Sequence, residues 1–129
     1  MIKIVMSIWL LSTALFALEW SKDLDSALAI AQKEHKNVMV MVEGEQCRWC
    51  KKMESHTLSD KGIEQKLAKY VLVKAMRNDV NIMSQLPKVH GVPTIFFMKP
   101  NKQILEEVVG YFDVSDFISY INDVEKKVR

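Results

Sequence analysis

Cysteine is scarce in this chain of 129 residues, since Cys47 and Cys50 are the only two. A lone pair cannot build the network of disulfides that stabilises many small secreted proteins. Glycine and proline are also few, with four and three residues, and no low-complexity tract occurs. A composition that is 49% hydrophobic and otherwise ordinary predicts one folded domain rather than a disordered chain.

The chain also lacks an excess of either charge. Of its 18 basic residues only Lys3 precedes position 18, so residues 18–129 carry 17 basic and 16 acidic side chains with the signs interspersed. A protein that follows a phosphate backbone needs a basic patch or stripe. We therefore expect no nucleic acid partner.

The one long apolar run lies at the beginning of the chain, where Lys3 precedes 15 mostly apolar residues, Ile4–Leu18. A charged start followed by such a run is typical of a secretory signal, and it is shorter than the roughly 20 residues of a membrane-spanning helix. We predict a signal peptide over residues 1–17 and one domain over residues 18–129. Cleavage after Ala17 would place Leu15 where a small residue is favoured, so an uncleaved N-terminal membrane anchor is the alternative.

The hydrophobic pattern after residue 18 predicts alternating helices and strands. Helices are predicted near residues 22–34, after Cys47, from Ser59 onward, at 81–86 and behind Ser115, and strands at 38–42, 71–76, 94–98 and 103–109. Ser21 and Ser59 are predicted N-caps, and Ser115 the start of the last helix. This order predicts an α/β protein with a mixed central sheet and helices on both faces.

The Cys47-x-x-Cys50 spacing at the start of a predicted helix is the main chemical signal. Free backbone N–H groups and the positive end of the helix dipole favour the thiolate of Cys47 over its thiol. Cys47 is therefore the predicted nucleophile, and Cys50, nearly one turn later, the residue that resolves the mixed disulfide. Arg48 is predicted to lower the pKa of the Cys47 thiol further.

Two other interpretations of the cysteine pair stay open, a metal site and a purely structural disulfide. A metal would need further ligands, for which His35, His56 and His90 are the only histidine candidates, and Cys47, Cys50 and His56 lack a fourth partner at a standard spacing. His56 is therefore interpreted as an exposed helix residue. Lys51 stands where covalent haem attachment would require a histidine. We predict no cofactor and no metal, because thiol–disulfide exchange needs neither.

Most of the chain resembles the exported branch of the thioredoxin-like family. The resemblance rests on Trp20 with residues 25–36, the strand VMVMV, the segment Cys47-Arg-Trp-Cys-Lys-Lys-Met-Glu54, Tyr70 to Lys74, Gly91-Val-Pro-Thr94 and Gly110-Tyr111. It implies a thioredoxin fold and an enzyme that exchanges disulfides with protein substrates. It also implies a periplasmic location and a membrane-bound redox partner.

The resemblance implies roles for two residues far from the pair. Val92–Pro93 is expected to be a cis peptide bond that faces the cysteines, with the main chain of Val92 binding an extended substrate and Pro93 keeping metals from the thiols. Trp49, between the cysteines, is interpreted either as an exposed docking residue for a substrate polypeptide or as a cover over the neighbouring loop. Tyr111 is expected near the last helix, and Lys51 and Lys52 on a solvated helix face.

The sequence departs from the best-known thioredoxins near the pair. Gln46 stands where tryptophan is common, and Met41 replaces the buried acid six residues before the first cysteine. Proton transfer with Cys50 then falls to Glu43, Glu45, a lysine or water.

The direction of the reaction is the remaining question. Arg48 and the helix terminus stabilise the reduced form and raise the reduction potential, whereas exported relatives are often kept reduced by a membrane donor. We predict a reductase, or a general exchanger of intermediate potential. The alternatives are a thioredoxin-fold binding or chaperone-like factor in the maturation of exported proteins, and a metal-handling protein.

Overall fold

A computed structural model describes residues 18–128, which form one mixed sheet with helices on both faces. The strands are β1 (Trp20–Ser21), β2 (Asn37–Glu43), β3 (Tyr70–Met76), β4 (Thr94–Met98) and β5 (Ile104–Val109). The helices are α1 (Leu24–Glu34), α2 (Arg48–Lys52), α3 (Lys61–Leu67), α4 (Val80–Met83) and α5 (Val114–Lys127), and a π-helical turn, Met53–Thr57, continues α2. The predicted signal peptide lies outside the described residues. Within them, no helix combines the length and apolarity needed to cross a membrane.

The sheet has the order β1-β3-β2-β4-β5. Strands β1 and β2 run parallel to β3, whereas β4 is antiparallel to both β2 and β5. Strand β2 is therefore central, and the strand direction changes beside it. Its last residue, Glu43, leads through residues 44–46 directly to Cys47, which places the cysteine pair at the carboxyl end of the parallel strands, where open α/β sheets commonly form their sites.

The apolar run of β2 is buried because both of its faces are covered. Met39 and Met41 join a core shared with α2, α3 and α5, and the alternate residues Val38, Val40 and Val42 join a second core under α1 and α4. All five are fully buried. A strand that is apolar at every position fits this environment, since successive side chains point to opposite faces. The predicted mixed sheet with helices on both faces is confirmed.

The predicted serine caps are wrong by one or two positions, because aspartates cap the helices. Asp23, Asp60 and Asp113 accept hydrogen bonds from the N–H groups of Asp25, Ile63 and Asp116 at 3.1, 3.0 and 2.9 Å. A carboxylate accepts the same bonds as a hydroxyl and adds a favourable charge at the positive end of the helix. Ser21 lies instead in β1, a two-residue strand that the hydrophobic pattern did not predict.

Candidate active site

Cys47 and Cys50 are joined by a disulfide at the start of α2, with their Cα atoms 5.2 Å apart. Cys47 is the N-cap residue, and its Sγ accepts a 3.1 Å hydrogen bond from the backbone N–H of Cys50. Cys50 is buried, with 4% of its surface exposed, whereas Cys47 is partly exposed. Of the two sulfurs, that of Cys47 is therefore the one that an incoming polypeptide can reach.

The loop before Cys47 makes a close approach to the segment around Pro93. A Cβ atom added to Gly44 would lie 3.1 Å from Cγ2 of Val92, 3.5 Å from Cδ of Arg77 and 4.0 Å from Cβ of Cys47. Because Gly44 has no side chain, Val92 can pack against the loop that leads into the cysteine pair. Gln46 completes the turn with a left-handed backbone, φ 52°.

The Val92–Pro93 peptide bond is cis, as the resemblance implied. Val92 and Cys47 both pack against the core that contains Cys50. The Gly110 N–H donates a 2.8 Å hydrogen bond to the carbonyl oxygen of Pro93, and the Thr94 hydroxyl donates a 2.6 Å bond to the carbonyl oxygen of Gly91. These two bonds hold residues 91–94, the segment beside the cysteine pair, in place.

Two aromatic rings and a lysine stand on the outer side of the pair. Trp49 is 46% exposed, and its ring centroid lies 5.7 Å from that of Tyr111. The Lys52 ammonium lies 5.2 Å from the Trp49 centroid and 4.8 Å from the Tyr111 centroid. The Trp49 ring therefore covers the loop that carries Tyr111 and is still partly accessible, and its role as a docking residue stays a prediction. The Arg48 guanidinium carbon lies 5.5 Å from the same ring.

One expectation for these residues is wrong. Lys52 is half-buried between the rings rather than part of a solvated face. Tyr111 contacts Trp49 and also packs against the core to which α5 contributes Phe117, and the ring centroid of Phe112 lies 4.9 Å from that of Tyr120 in α5. Gly110 has a φ of 98° and turns the chain back toward α2. The Gly110-Tyr111 pair was the sequence signal for the contact between Tyr111 and Trp49.

A groove opens next to the cysteine pair. Its volume is about 330 Å³, and Trp49, Val92, Pro93, Gly110 and Tyr111 line it. The structure thus brings together the three residues that the sequence analysis assigned to substrate binding, Trp49, Val92 and Pro93. Gly110 and Tyr111, which complete the wall, were not predicted to belong to the site.

Two carboxyl groups and a lysine form a cluster near the carboxyl end of β2, which we call the carboxyl cluster. Nζ of Lys74 lies 2.8 Å from Oε1 of Glu54, so the two side chains form an ion pair. Burial, followed by the hydrogen bond and charge of Glu54, raises the pKa of Glu43 to about 7. The hydrogen bond from Glu43 and the neighbouring Lys74 ammonium lower the pKa of Glu54. The Lys74 ammonium also lies 4.8 Å from the Trp20 ring centroid.

This carboxyl cluster lies on the sheet face that buries Cys50. Met41 is in the core around Cys50 and pairs in register with Lys74, so the two side chains point to the same face. Glu43 follows Met41 by two residues along β2 and shares that face, and Glu54 follows Cys50 by four residues. Of the groups predicted to exchange a proton with Cys50, Glu43 and Lys74 therefore meet here. Glu45 instead accepts a 3.5 Å hydrogen bond from the Asn78 amide.

The histidine considered as a metal ligand is exposed, as predicted. His56 lies in the π-helical turn that follows α2. Among residues 18–128, no three histidine, cysteine, aspartate or glutamate side chains cluster in a way that would hold a metal ion.

Comparison with known proteins identifies relatives of this arrangement. A family model described as a thioredoxin-like domain matches residues 24–125. The thiol:disulfide interchange protein DsbD of Actinobacillus pleuropneumoniae is 30% identical in an alignment 101 residues long that covers 74% of this chain and 17% of DsbD. This chain thus spans less than a fifth of the length of that relative.

Solved structures give the same fold. A thioredoxin from Thermus thermophilus superposes with a TM-score of 0.70 at 25% identity, covering 84% of this chain and 88% of that protein. The oxidised C-terminal domain of DsbD from Neisseria meningitidis superposes with a TM-score of 0.66 at 22% identity, covering 81% of this chain and 97% of that domain. The thioredoxin fold expected from the resemblance is confirmed.

Proposed function

Since this chain belongs to the thioredoxin-like family, we propose that it is an exported reductase of protein disulfides that acts in the periplasm. Its enzyme class is that of a thioredoxin-like thiol-disulfide oxidoreductase with a Cys-x-x-Cys pair. The observation that carries the proposal is the position of the pair: a partly exposed Cys47 at a helix start, a buried Cys50 behind it, and a groove beside both. This arrangement suits attack on a disulfide held in the groove.

The reaction proceeds through two exchanges. The Cys47 thiolate attacks one sulfur of a substrate disulfide, a new S–S bond forms, and the other substrate sulfur leaves as a thiolate. Cys50 then loses its proton and attacks Sγ of Cys47, which releases the second substrate thiolate and leaves the Cys47–Cys50 disulfide. The substrate gains two electrons, so a reducing partner must return two electrons to the pair.

Cys50 needs a proton acceptor because its thiol is buried. Glu43 is well suited, since its pKa of about 7 allows it to hold or release a proton near neutral pH. Glu54 shares the Glu43 proton, and Lys74 balances the charge that remains on the pair. The carboxyl cluster thereby takes over the place of the acid that Met41 replaces.

The groove is the proposed binding site for the substrate chain. Val92 offers main-chain groups to an extended segment, Pro93 forms the floor, and the exposed face of Trp49 contacts apolar substrate residues. Support for protein disulfides as substrates comes from the similarity to DsbD, whose name states thiol:disulfide interchange. We propose that a membrane-bound partner resets the pair.

The reduction potential of the Cys47–Cys50 pair tests the direction. The domain of residues 18–129 is equilibrated with glutathione buffers, free thiols are counted, and insulin reduction is assayed in parallel. A value near the roughly −270 mV of thioredoxin supports a reductase, and one near the roughly −120 mV of the strongest periplasmic oxidant contradicts it. A titratable pair without any insulin reduction favours a binding factor instead.

Export is tested separately. Residues 1–17 are fused to a reporter enzyme that becomes active only after translocation, and Leu10→Arg, which interrupts the apolar run, serves as the control. We expect activity with the native segment and none with the variant. The size of the exported full chain then distinguishes a cleaved signal from an anchor.

A further inference from the structure

Lys52 has surroundings that a solvated lysine lacks. Its ammonium group lies within about 5 Å of two ring centroids, those of Trp49 and Tyr111, which also line the groove. The attraction of a cation to two ring faces holds the long side chain in one place. Lys52 is therefore a positioned charge beside two of the rings that line the groove.

Within the part of the chain that the structure describes, no carboxylate lies within 4.0 Å of the Lys52 ammonium. Among residues 18–128, the lysines that lie within 4.0 Å of a carboxylate are Lys36, Lys69, Lys74 and Lys127. An ammonium group has three N–H donors, and ring faces take up only part of that capacity. Lys52 can thus bind a carboxylate from another molecule without leaving the rings, and little side-chain freedom remains to be lost when it does.

Two further basic side chains lie near the groove. Arg48 leans on the other side of Trp49, and the side chain of Arg77 lies against Gly44 beside Val92. The exposed carboxylate of the neighbouring loop, Glu45, is bonded to the Asn78 amide. The side chains that line the groove are thus apolar or aromatic, and the basic side chains of Lys52, Arg48 and Arg77 lie close to them.

We propose that this groove selects polypeptide substrates with an acidic side chain next to the cysteine under attack, and that Lys52 binds that carboxylate. The inference rests on the proposed function, because it concerns the same groove and the same exchange. Lys52 contacts the substrate away from the reacting sulfurs, so it determines specificity rather than chemistry.

Matched peptides test the selection. Two synthetic peptides, each with one intramolecular disulfide, differ only by glutamate or glutamine beside the first cysteine. Reduced protein of residues 18–129 is mixed with each, and the rate of disulfide transfer is followed at low salt. We expect the glutamate peptide to react about three- to five-fold faster, the range of a single rim ion pair, and the preference to shrink as salt is added.

Variants connect the preference to Lys52. In Lys52→Gln the two rates should become equal, whereas Lys52→Arg and the adjacent, exposed Lys51→Gln should keep the native ratio. A reference reaction with a small dithiol corrects for any difference in the intrinsic reactivity of the peptides. Because the ratio is compared, a general change in Cys47 reactivity cancels.

The outcomes separate this inference from the proposed function. Equal rates for both peptides in the native protein, or an unchanged ratio in Lys52→Gln, overturn the role of Lys52 while leaving the reductase intact. If the reduced native protein transfers electrons to neither peptide although its thiols titrate, the proposed function itself fails and the inference fails with it.

Discussion

The hydroxyl group of Thr57 donates a 2.6 Å hydrogen bond to the carbonyl oxygen of Phe112. Thr57 ends the π-helical turn behind α2 and is fully buried, while Phe112 directly follows Tyr111. This bond therefore ties the helix that carries Cys47 and Cys50 to the segment that carries the far wall of the groove. Because the two segments are 55 residues apart in sequence, their relative position depends on such tertiary contacts.

Replacing Thr57 by valine tests this connection. Thr57→Val keeps the shape of the side chain but removes the donor, so the Phe112 carbonyl loses its partner, at a cost of about 1 to 3 kcal/mol. Urea denaturation should show the loss, and the rate of insulin reduction should fall with it. Thr57→Ser, which keeps the hydroxyl but loses a buried methyl group, is the control for the donor, and a Thr57→Val variant as stable as the native protein would contradict the assignment.

Gly44 controls the distance between the cysteine loop and Val92. In Gly44→Ala the new methyl group would stand 3.1 Å from Cγ2 of Val92, so one of the two segments must move. We expect a higher KM for protein disulfides and an almost unchanged rate with a small aromatic disulfide that does not need the groove. Gly91→Ala is the matched control, since no atom lies within 4 Å of a Cβ there. Equal KM values for the two variants would exclude this role.

The two cysteines should respond differently to substitution by serine. Cys47→Ser removes the accessible sulfur and should reduce turnover to background. Cys50→Ser leaves the attacking thiol but not the resolving one, so substrates should accumulate as mixed disulfides on Cys47. Gel electrophoresis without reductant, followed by mass spectrometry of the adducts, measures this. Undiminished activity in both variants would refute the assigned roles.

Arg48 should shift the redox equilibrium of the pair. Its positive charge favours the thiolate-containing reduced form, so Arg48→Gln should lower the reduction potential. An exposed charge contributes roughly 0.5 to 1 kcal/mol, which corresponds to about 10 to 20 mV. Glutathione equilibration measures the shift, and Lys33→Gln, on the helix that covers the opposite sheet face, controls for net charge. A potential that rises or stays constant would show that Arg48 does not act on the pair.

Local patterns in the sequence were enough to place the strands and the cysteine pair. Strand β4 was predicted with its observed ends, and β2 within one residue at each end, because continuous apolar runs between polar residues mark buried strands. Strand β1 was missed since its two residues are held by pairing with Leu72 and Val73 of β3. Such pairing leaves no trace in a local pattern.

The composition of the site was only partly predictable for the same reason. Trp49, Val92 and Pro93 could be named in advance, because a motif carries each of them. Lys52 was misjudged, since only the folded chain brings Tyr111 to its side, 59 residues later in sequence. The coupling of Glu43 to Glu54 likewise depends on β2 and the π-helical turn meeting on one face.

The coupled carboxyl pair gives the stability of the protein a characteristic dependence on pH. The pKa of Glu43 is raised in the folded chain to about 7 from an ordinary 4.5, so the folded state binds this proton more tightly than the unfolded state. The contribution of Glu43 to the free energy of unfolding is present at low pH and is lost as the pH rises from about 4.5 through about 7. Glu54, whose pKa is lowered, acts in the opposite direction, and its contribution is lost only below the ordinary value.

Glu43→Gln should therefore flatten the pH dependence between about pH 5 and about pH 8, because an amide does not titrate. The measurement is urea denaturation of the disulfide form at several pH values within that window. Glu45→Gln, the exposed carboxyl two residues later, should keep the native slope. If the free energy of unfolding depends on pH in the same way in Glu43→Gln and in the native protein, the folded state does not bind a proton on Glu43 within this window. The case for Glu43 as the proton acceptor of Cys50 then loses its physical basis, since an acid with an ordinary pKa would be ionised throughout this window.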